Sequence, residues 1–246
     1  MIAGRVSLPF SLPLDQSVIA EKRSQILQEL LSKDAGFRTV PVTSIHLTTL
    51  KTMLSLYDTQ FFNGFLSKKL ETLSLSMSSR LTSAAGKFIC TKDAFRRIKS
   101  AEIRMSSDFL FRLTQGPFTL NGLHAQTPQE AFLIVFEHEL CHAAETALFG
   151  ETGHSPRFLS LANGLFGHTA TRHSLPTRKA EAAKEGIRVG SSASFLYQGK
   201  TLTGIITYVG KTATVMVPSP AGVYRDKRGR RYEKYSVPIS RLEIIR

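Results

Sequence analysis

The chain has 246 residues, 42% of them hydrophobic, and 32 Lys and Arg against 19 Asp and Glu give it a formal net charge of +13. That length buries one good core and leaves room for a second small one, while two cysteines, Cys90 and Cys141, far apart and without a CxxC, exclude a disulfide framework and a zinc ribbon. No apolar run approaches the ~20 residues that span a bilayer, and the start, MIAGRVSLPFSLPL, lacks a charged region ahead of an apolar stretch, so an intracellular, unsecreted protein without a membrane partner is expected, cytoplasmic or nuclear.

In chain order, Ile19, Ile26, Leu27, Leu30 and Leu31 recur at mostly helical spacings and predict an amphipathic helix from Val18 to Leu31. A second helix is expected from Thr43 to about Phe62, with Ile45, Leu47, Leu50, Met53, Leu54 and Tyr57 as its apolar stripe. Short strands are expected at Leu73 to Met77, Gly86 to Cys90 and Glu102 to Met105. Thr127-Pro128-Gln129-Glu130 then offers an N-cap, a proline at the first helical position and a glutamate three residues after the cap, which predicts a capping box and a helix start. The apolar run Ala131 to Phe136 follows, and Gly150 is placed to end the helix in a left-handed turn.

Inside that helix lies His138-Glu139-Leu140-Cys141-His142. Histidines four apart share one helix face, and two imidazoles one turn apart both reach a single zinc at about 2.0 to 2.1 Å. Glu139, rotated about 100° from His138, faces a water on the metal, and so reads as general base. A catalytic zinc keeps three protein ligands and one open position. His154 is the expected third ligand, because Gly150-Glu151-Thr152-Gly153 can reverse the chain and Ser155-Pro156 starts another helix behind it. Glu145, on the same helix face as His142, is the competing candidate. Cys141 reads as a small packing residue; His168 and His173 lack a comparable turn, and His46 and His124 receive no role.

The stretch from Tyr57 to about His173 resembles the SprT-like family of zinc metallopeptidases, which includes the Spartan-related proteases of DNA–protein crosslinks. The resemblance is carried by Phe62-Asn63, Leu75-Ser76-Met77-Ser78-Ser79-Arg80-Leu81-Thr82 with Ala85-Gly86, Ile103-Arg104-Met105-Ser106, HELCH, and Gly153-His154-Ser155-Pro156-Arg157-Phe158. It implies a zincin-like protease fold and, from the histidine of the family's GH-x-P-x-F segment, His154 as zinc ligand. Many members carry a cysteine zinc ribbon after the protease domain; here a basic, β-rich segment stands in its place.

That segment opens near Pro176, and residues 176 to 246 hold 14 Lys and Arg against 5 Asp and Glu. Ala193 to Tyr197, Gly204 to Val209, Thr212 to Val217 and Tyr235 to Ile239 read as strands, which suggests a small barrel. The loop before the last strand interleaves Tyr224 and Tyr232 with Arg225, Lys227, Arg228, Arg230 and Arg231, a composition suited to phosphate contact and base stacking.

The expected architecture is therefore α+β: a helical extension at 1–44, a zincin-like metalloprotease domain with an HExxH helix at 45–175, a linker at 176–186 and a basic SH3-like all-β barrel at 187–246. The expected activity is zinc-dependent endopeptidase cleavage of a protein substrate, with DNA or another nucleic acid as partner. The rival is a nucleic-acid-binding or scaffolding protein whose zinc site is structural or silent. Glu139 favours the enzyme, since a structural site needs no general base.

Overall fold

A computed structural model describes residues 8–171 and 178–245. His173 and the start of the expected linker at Pro176 lie outside the described residues. The chain divides into two units, Met1–Leu175 and Pro176–Arg246. Among the described residues, no helix is long and apolar enough to cross a membrane.

In the first unit, α1 (Gln16–Lys33) buries Ile19, Ile26 and Leu30 of the anticipated apolar stripe and leaves Leu27 and Leu31 half-buried. A four-residue helix α2 (Ala35–Arg38) follows. The next helix, α3, covers Leu47–Phe62 rather than starting at Thr43. Asp34 explains the later start: its carboxylate accepts from Phe37 N (3.0 Å), His46 N (3.1 Å) and Thr49 Oγ1 (2.6 Å), so residues up to His46 cross between helices. Asn63 (φ 52°) and Gly64 (φ 73°), both left-handed, separate α3 from α4 (Phe65–Lys69).

A three-stranded sheet comes next, formed by β1 (Leu73–Ser78), β2 (Gly86–Lys92) and β3 (Ile98–Ser106). β3 lies in the middle, parallel to β1 and antiparallel to β2. After the short α5 (Ser107–Leu110), Asn121-Gly122 with positive φ turns the hairpin β4 (Phe118–Leu120) and β5 (Leu123–Ala125).

The central element is α6, Pro128–Phe149, in which Thr127 and Glu130 close the capping box and Gly150 takes the left-handed position. Most of its residues are buried, the polar Glu137, His138, Glu139 and Glu145 among them. α7 (Pro156–Phe166) starts from Ser155, whose hydroxyl accepts from Phe158 N. Tyr57, Phe61, Phe136 and Phe166 pack α3, α6 and α7 together, with Phe61 and Phe166 centroids 4.9 Å apart and Tyr57 and Phe136 5.8 Å apart. Each buried ring is worth about 1.5–3 kcal/mol, and truncating Phe166 would cost roughly 3–5 kcal/mol.

In the second unit, the stretch read as linker carries α8 (Arg178–Lys184), and Ala182 joins a separate apolar core with Ile206, Val215 and Val237. The sheet comprises β6 (Ser192–Tyr197), β7 (Lys200–Val209), β8 (Thr212–Pro218), β9 (Tyr224–Arg225), β10 (Arg231–Pro238) and, after a 3-10 turn at Ile239–Arg241, β11 (Glu243–Ile244). Its antiparallel order is β11-β6-β7-β8-β10-β9. The expected barrel is not closed: β9 and β11, two residues each, end the ladder without pairing to each other among the described residues. Part of the basic loop is itself a hairpin, with Tyr232 opposite Tyr224 and Arg231 opposite Arg225.

Candidate metal centre

Four residues apart on α6, His138 and His142 bring their Nε2 atoms to 3.2 Å. The left-handed Gly150 turns the chain back, and Ser155 fixes the start of α7, so the intervening His154 places its Nε2 3.1 Å from that of His138. The ligand atoms of the three histidines all lie within 4.8 Å of one another, a group that could hold a metal ion. Two nitrogens at zinc-ligand distance in a tetrahedral site stand about 3.3 Å apart, so the two measured separations suit a shared ion. Phe158 forms a common floor, its ring centre 5.0, 4.3 and 5.2 Å from those of His138, His142 and His154.

Glu145 is not in this group. Its carboxylate accepts from Thr152 Oγ1 (2.9 Å), Gly153 N (3.1 Å), Ser155 Oγ (3.2 Å) and Arg157 Nε (3.1 Å), all around the segment that bears His154. Burial would raise its pKa, but the Arg157 guanidinium and these N–H and O–H donors hold it below the usual range. The Thr152 hydroxyl gives its proton to Glu145, so its oxygen accepts from His142 Nδ1–H at 2.7 Å. This assignment leaves the His142 Nε2 lone pair toward the other imidazoles. Burial and the neighbouring His154 press the His142 pKa down to about 4, so the ring is neutral at physiological pH. A set of three imidazoles fits zinc.

Glu139, one residue on from His138, is buried against β2, with its carboxylate beside Gly86. Burial pushes this carboxyl up to about 8, an effect that a cation in the histidine group would oppose. The first residue of β2 is Gly86, and the absence of a side chain there lets the strand approach Glu139 closely.

The sequence profile of the SprT-like family matches residues 50–178, more than half of the chain. The chain belongs to the SprT-like family. That family is associated with zinc metalloprotease activity, and the histidine group of this SprT-like chain lies within the matched region. None of the curated proteins matches the chain.

Beside this SprT-like site lies a buried hub that sequence reasoning missed. Glu137 is fully buried and binds Arg23 through both oxygens (2.7 and 2.8 Å), Tyr57 OH at 2.8 Å and His168 Nε2 at 3.0 Å. Burial alone would raise the Glu137 pKa; Arg23 and His168 instead pull it down to about 2. Asn121 Nδ2 donates to His168 Nδ1 at 3.4 Å, which leaves the ring's Nε2–H for Glu137. The hub joins α1, α3, α6 and the segment after α7, and so sets the rotation of the helix that carries His138 and His142. The only local signal was a charged residue directly after the apolar run Ala131 to Phe136; its partners are far away in sequence.

The basic residues singled out in the second unit sit on the β9–β10 hairpin. Asp226 organises the tip by accepting from Arg228 N, Arg230 N and Arg230 Nε. Arg231 donates to Pro220 O, and Tyr232 OH to Asp226. Arg225, Lys227 and Arg228 point outward and are exposed, as is Tyr224 at 46%. In the first unit Arg80 is exposed, His46 stands at the N-cap position of α3 without a side-chain capping bond, and His124 pairs with Thr119 at 3.3 Å.

Proposed function

We propose that this SprT-like chain is a zinc-dependent endopeptidase, with His138, His142 and His154 holding the ion and Glu139 as general base. The observation that carries the reading is the convergence of three imidazole nitrogens beside a buried carboxylate that is not one of them. Zinc, when bound, supplies Lewis acidity to the scissile carbonyl and lowers the pKa of water in the site. β2 ends the order of its sheet, so its far edge offers backbone groups to an extended peptide. The peptide is thereby aligned along the strand against which Glu139 packs at Gly86. Glu139 takes a proton from the attacking water as its oxygen bonds the carbonyl carbon. It returns that proton to the amide nitrogen as the C–N bond breaks, leaving an amine and a carboxylic acid that gives its remaining proton to solvent.

The expected results are about one zinc per chain, its loss on His154→Ala, and a Glu139→Gln variant that keeps zinc while losing roughly 10²- to 10⁴-fold in rate. Metal analysis and proteolysis of a denatured protein measure both. A zinc-loaded wild type no faster than Glu139→Gln would leave the site structural or silent.

The second unit reads as a nucleic-acid contact, which makes DNA-bound or DNA-crosslinked proteins the favoured substrates. Supporting it are the net charge, the outward Arg225, Lys227 and Arg228, and the exposed Tyr224. Replacing Arg225, Lys227 and Arg228 by Ala should reduce the salt slope of log affinity by roughly 0.7 to 0.9 per lost phosphate contact, with zinc content unchanged. An unaltered slope would reduce the tip to a solvated turn.

A further inference from the structure

The tip of the β2–β3 hairpin is built like the basic tip of the second unit. Asp93 Oδ1 accepts from Phe95 N (2.8 Å) and Arg97 N (2.9 Å), and its Oδ2 accepts from Arg97 Nε (2.8 Å). Asp226 Oδ1 accepts from Arg228 N (2.9 Å) and Arg230 N (3.0 Å), and its Oδ2 from Arg230 Nε (2.7 Å). In both, the residue before the bound arginine is left-handed: Arg96 at φ 62° and Gly229 at φ 80°. An aspartate thus consumes one arginine to fix the turn, and the residues between them are turned outward.

At the first tip those outward residues are Phe95, 78% exposed, and Arg96; Lys99 is exposed beside them. Neither Arg96 nor Lys99 makes an ion pair among the described residues. Residues 92–99 hold Lys92, Arg96, Arg97 and Lys99 against Asp93 alone. A phenylalanine so exposed has no packing role in the fold, and Arg97 stands 5.2 Å from its ring centre, which braces it. The position is equally specific. β2 starts beside Glu139 at Gly86, and at its other end the Lys92 ammonium donates to Gly150 O, at the C-terminal end of α6. Phe95 is three residues further, within about 10 Å of chain reach.

We propose that Phe95, Arg96 and Lys99 form a contact for single-stranded nucleic acid at the hairpin tip beyond the end of β2 that lies opposite Glu139. An unpaired base stacks on Phe95, and the adjoining phosphates lie on Arg96 and Lys99. A duplex keeps its bases stacked on one another and cannot use an isolated ring in this way. The inference rests on the reading of this chain as a peptidase working on nucleic acid, and it adds a contact on the protease unit itself.

The test is fluorescence anisotropy with a labelled oligothymidine and a duplex of equal length, on the full zinc-loaded chain carrying Glu139→Gln so that nothing is cleaved. Phe95→Ala should weaken oligothymidine binding roughly tenfold and leave the duplex nearly unchanged. Arg96→Gly, which keeps the left-handed turn, combined with Lys99→Gln should lower the single-strand salt slope by about 0.7 per contact. Zinc content and melting temperature report whether the variants are folded. Oligothymidine binding that is unchanged in both variants overturns this contact alone. A parent chain that binds no nucleic acid overturns the underlying reading as well. Equal losses for single strand and duplex overturn the stacking. Loss of binding to anionic vesicles with oligothymidine affinity intact would assign the tip to a lipid surface instead.

Discussion

A methyl group on residue 86 would stand 2.7 Å from Glu139 Oε1 and 2.8 Å from its Cγ, so Gly86 and Glu139 share one space between β2 and α6. Val135 Cγ1, at 3.0 Å, closes the same space from the helix side. Gly86→Ala is therefore expected to push the Glu139 carboxylate out of line. A displacement of about 1 Å in such a group costs on the order of 10²-fold in rate. The three histidines are untouched, so zinc content should remain that of the wild type. Paired metal analysis and proteolysis check this, and wild-type activity in the alanine variant would remove Glu139 from the proposed role.

Thr152 connects His142 to Glu145, and Thr152→Val removes both of its hydrogen bonds while keeping the side chain's shape. Loss of a group that orients a metal-binding histidine typically weakens metal affinity 10- to 100-fold. Competition with a chelating dye should show that loss, and Thr152→Ser should recover most of it. Recovery separates the hydroxyl's function from simple packing.

The Glu137 hub predicts large and unequal costs. Arg23→Met leaves a fully buried carboxylate without its cation, which should cost about 3–5 kcal/mol in urea unfolding. Tyr57→Phe removes one hydrogen bond of 2.8 Å and should cost about 1–3 kcal/mol. Equal and small effects would show that the helix does not depend on this anchor.

Asp34 gives a pH dependence. Burial would raise its pKa, but the Thr49 hydroxyl and the N–H groups of His46 and Phe37 lower it below the usual carboxylate range. Its contribution to stability is therefore complete above the unfolded value of about 3.9 and is lost as pH falls toward the folded one. Asp34→Asn should melt below wild type at pH 7, with the gap closing on acidification through that window. A gap constant from pH 7 to 2 would contradict the assignment.

Much of the first unit was legible in the chain because its signals are local. The capping box at Thr127, the glycine stop at Gly150 and the Ser155-Pro156 start each depend on neighbours within a few residues, and all three form as read. The pairing of His138 with His142 follows from helical pitch alone. Glu137 binds residues 114, 80 and 31 positions away, which no local pattern reports. Closure of a barrel depends likewise on how end strands meet, and here β9 and β11 are too short to settle it from alternation. The similarity of the Asp93 and Asp226 tips is not legible in the chain because the shared geometry needs only an aspartate and an arginine four residues later.

Glu145 also determines what an empty site would look like. Its four hydrogen bonds run to Thr152, Gly153, Ser155 and Arg157, and none of them passes through an ion. The protein itself thus fastens the segment bearing His154 to the helix bearing His142. Small zinc domains, whose ligands are gathered by the metal, collapse when it is stripped. This centre behaves instead as a socket: chelation should extinguish activity while leaving the fold in place, and added zinc should restore it without a refolding step.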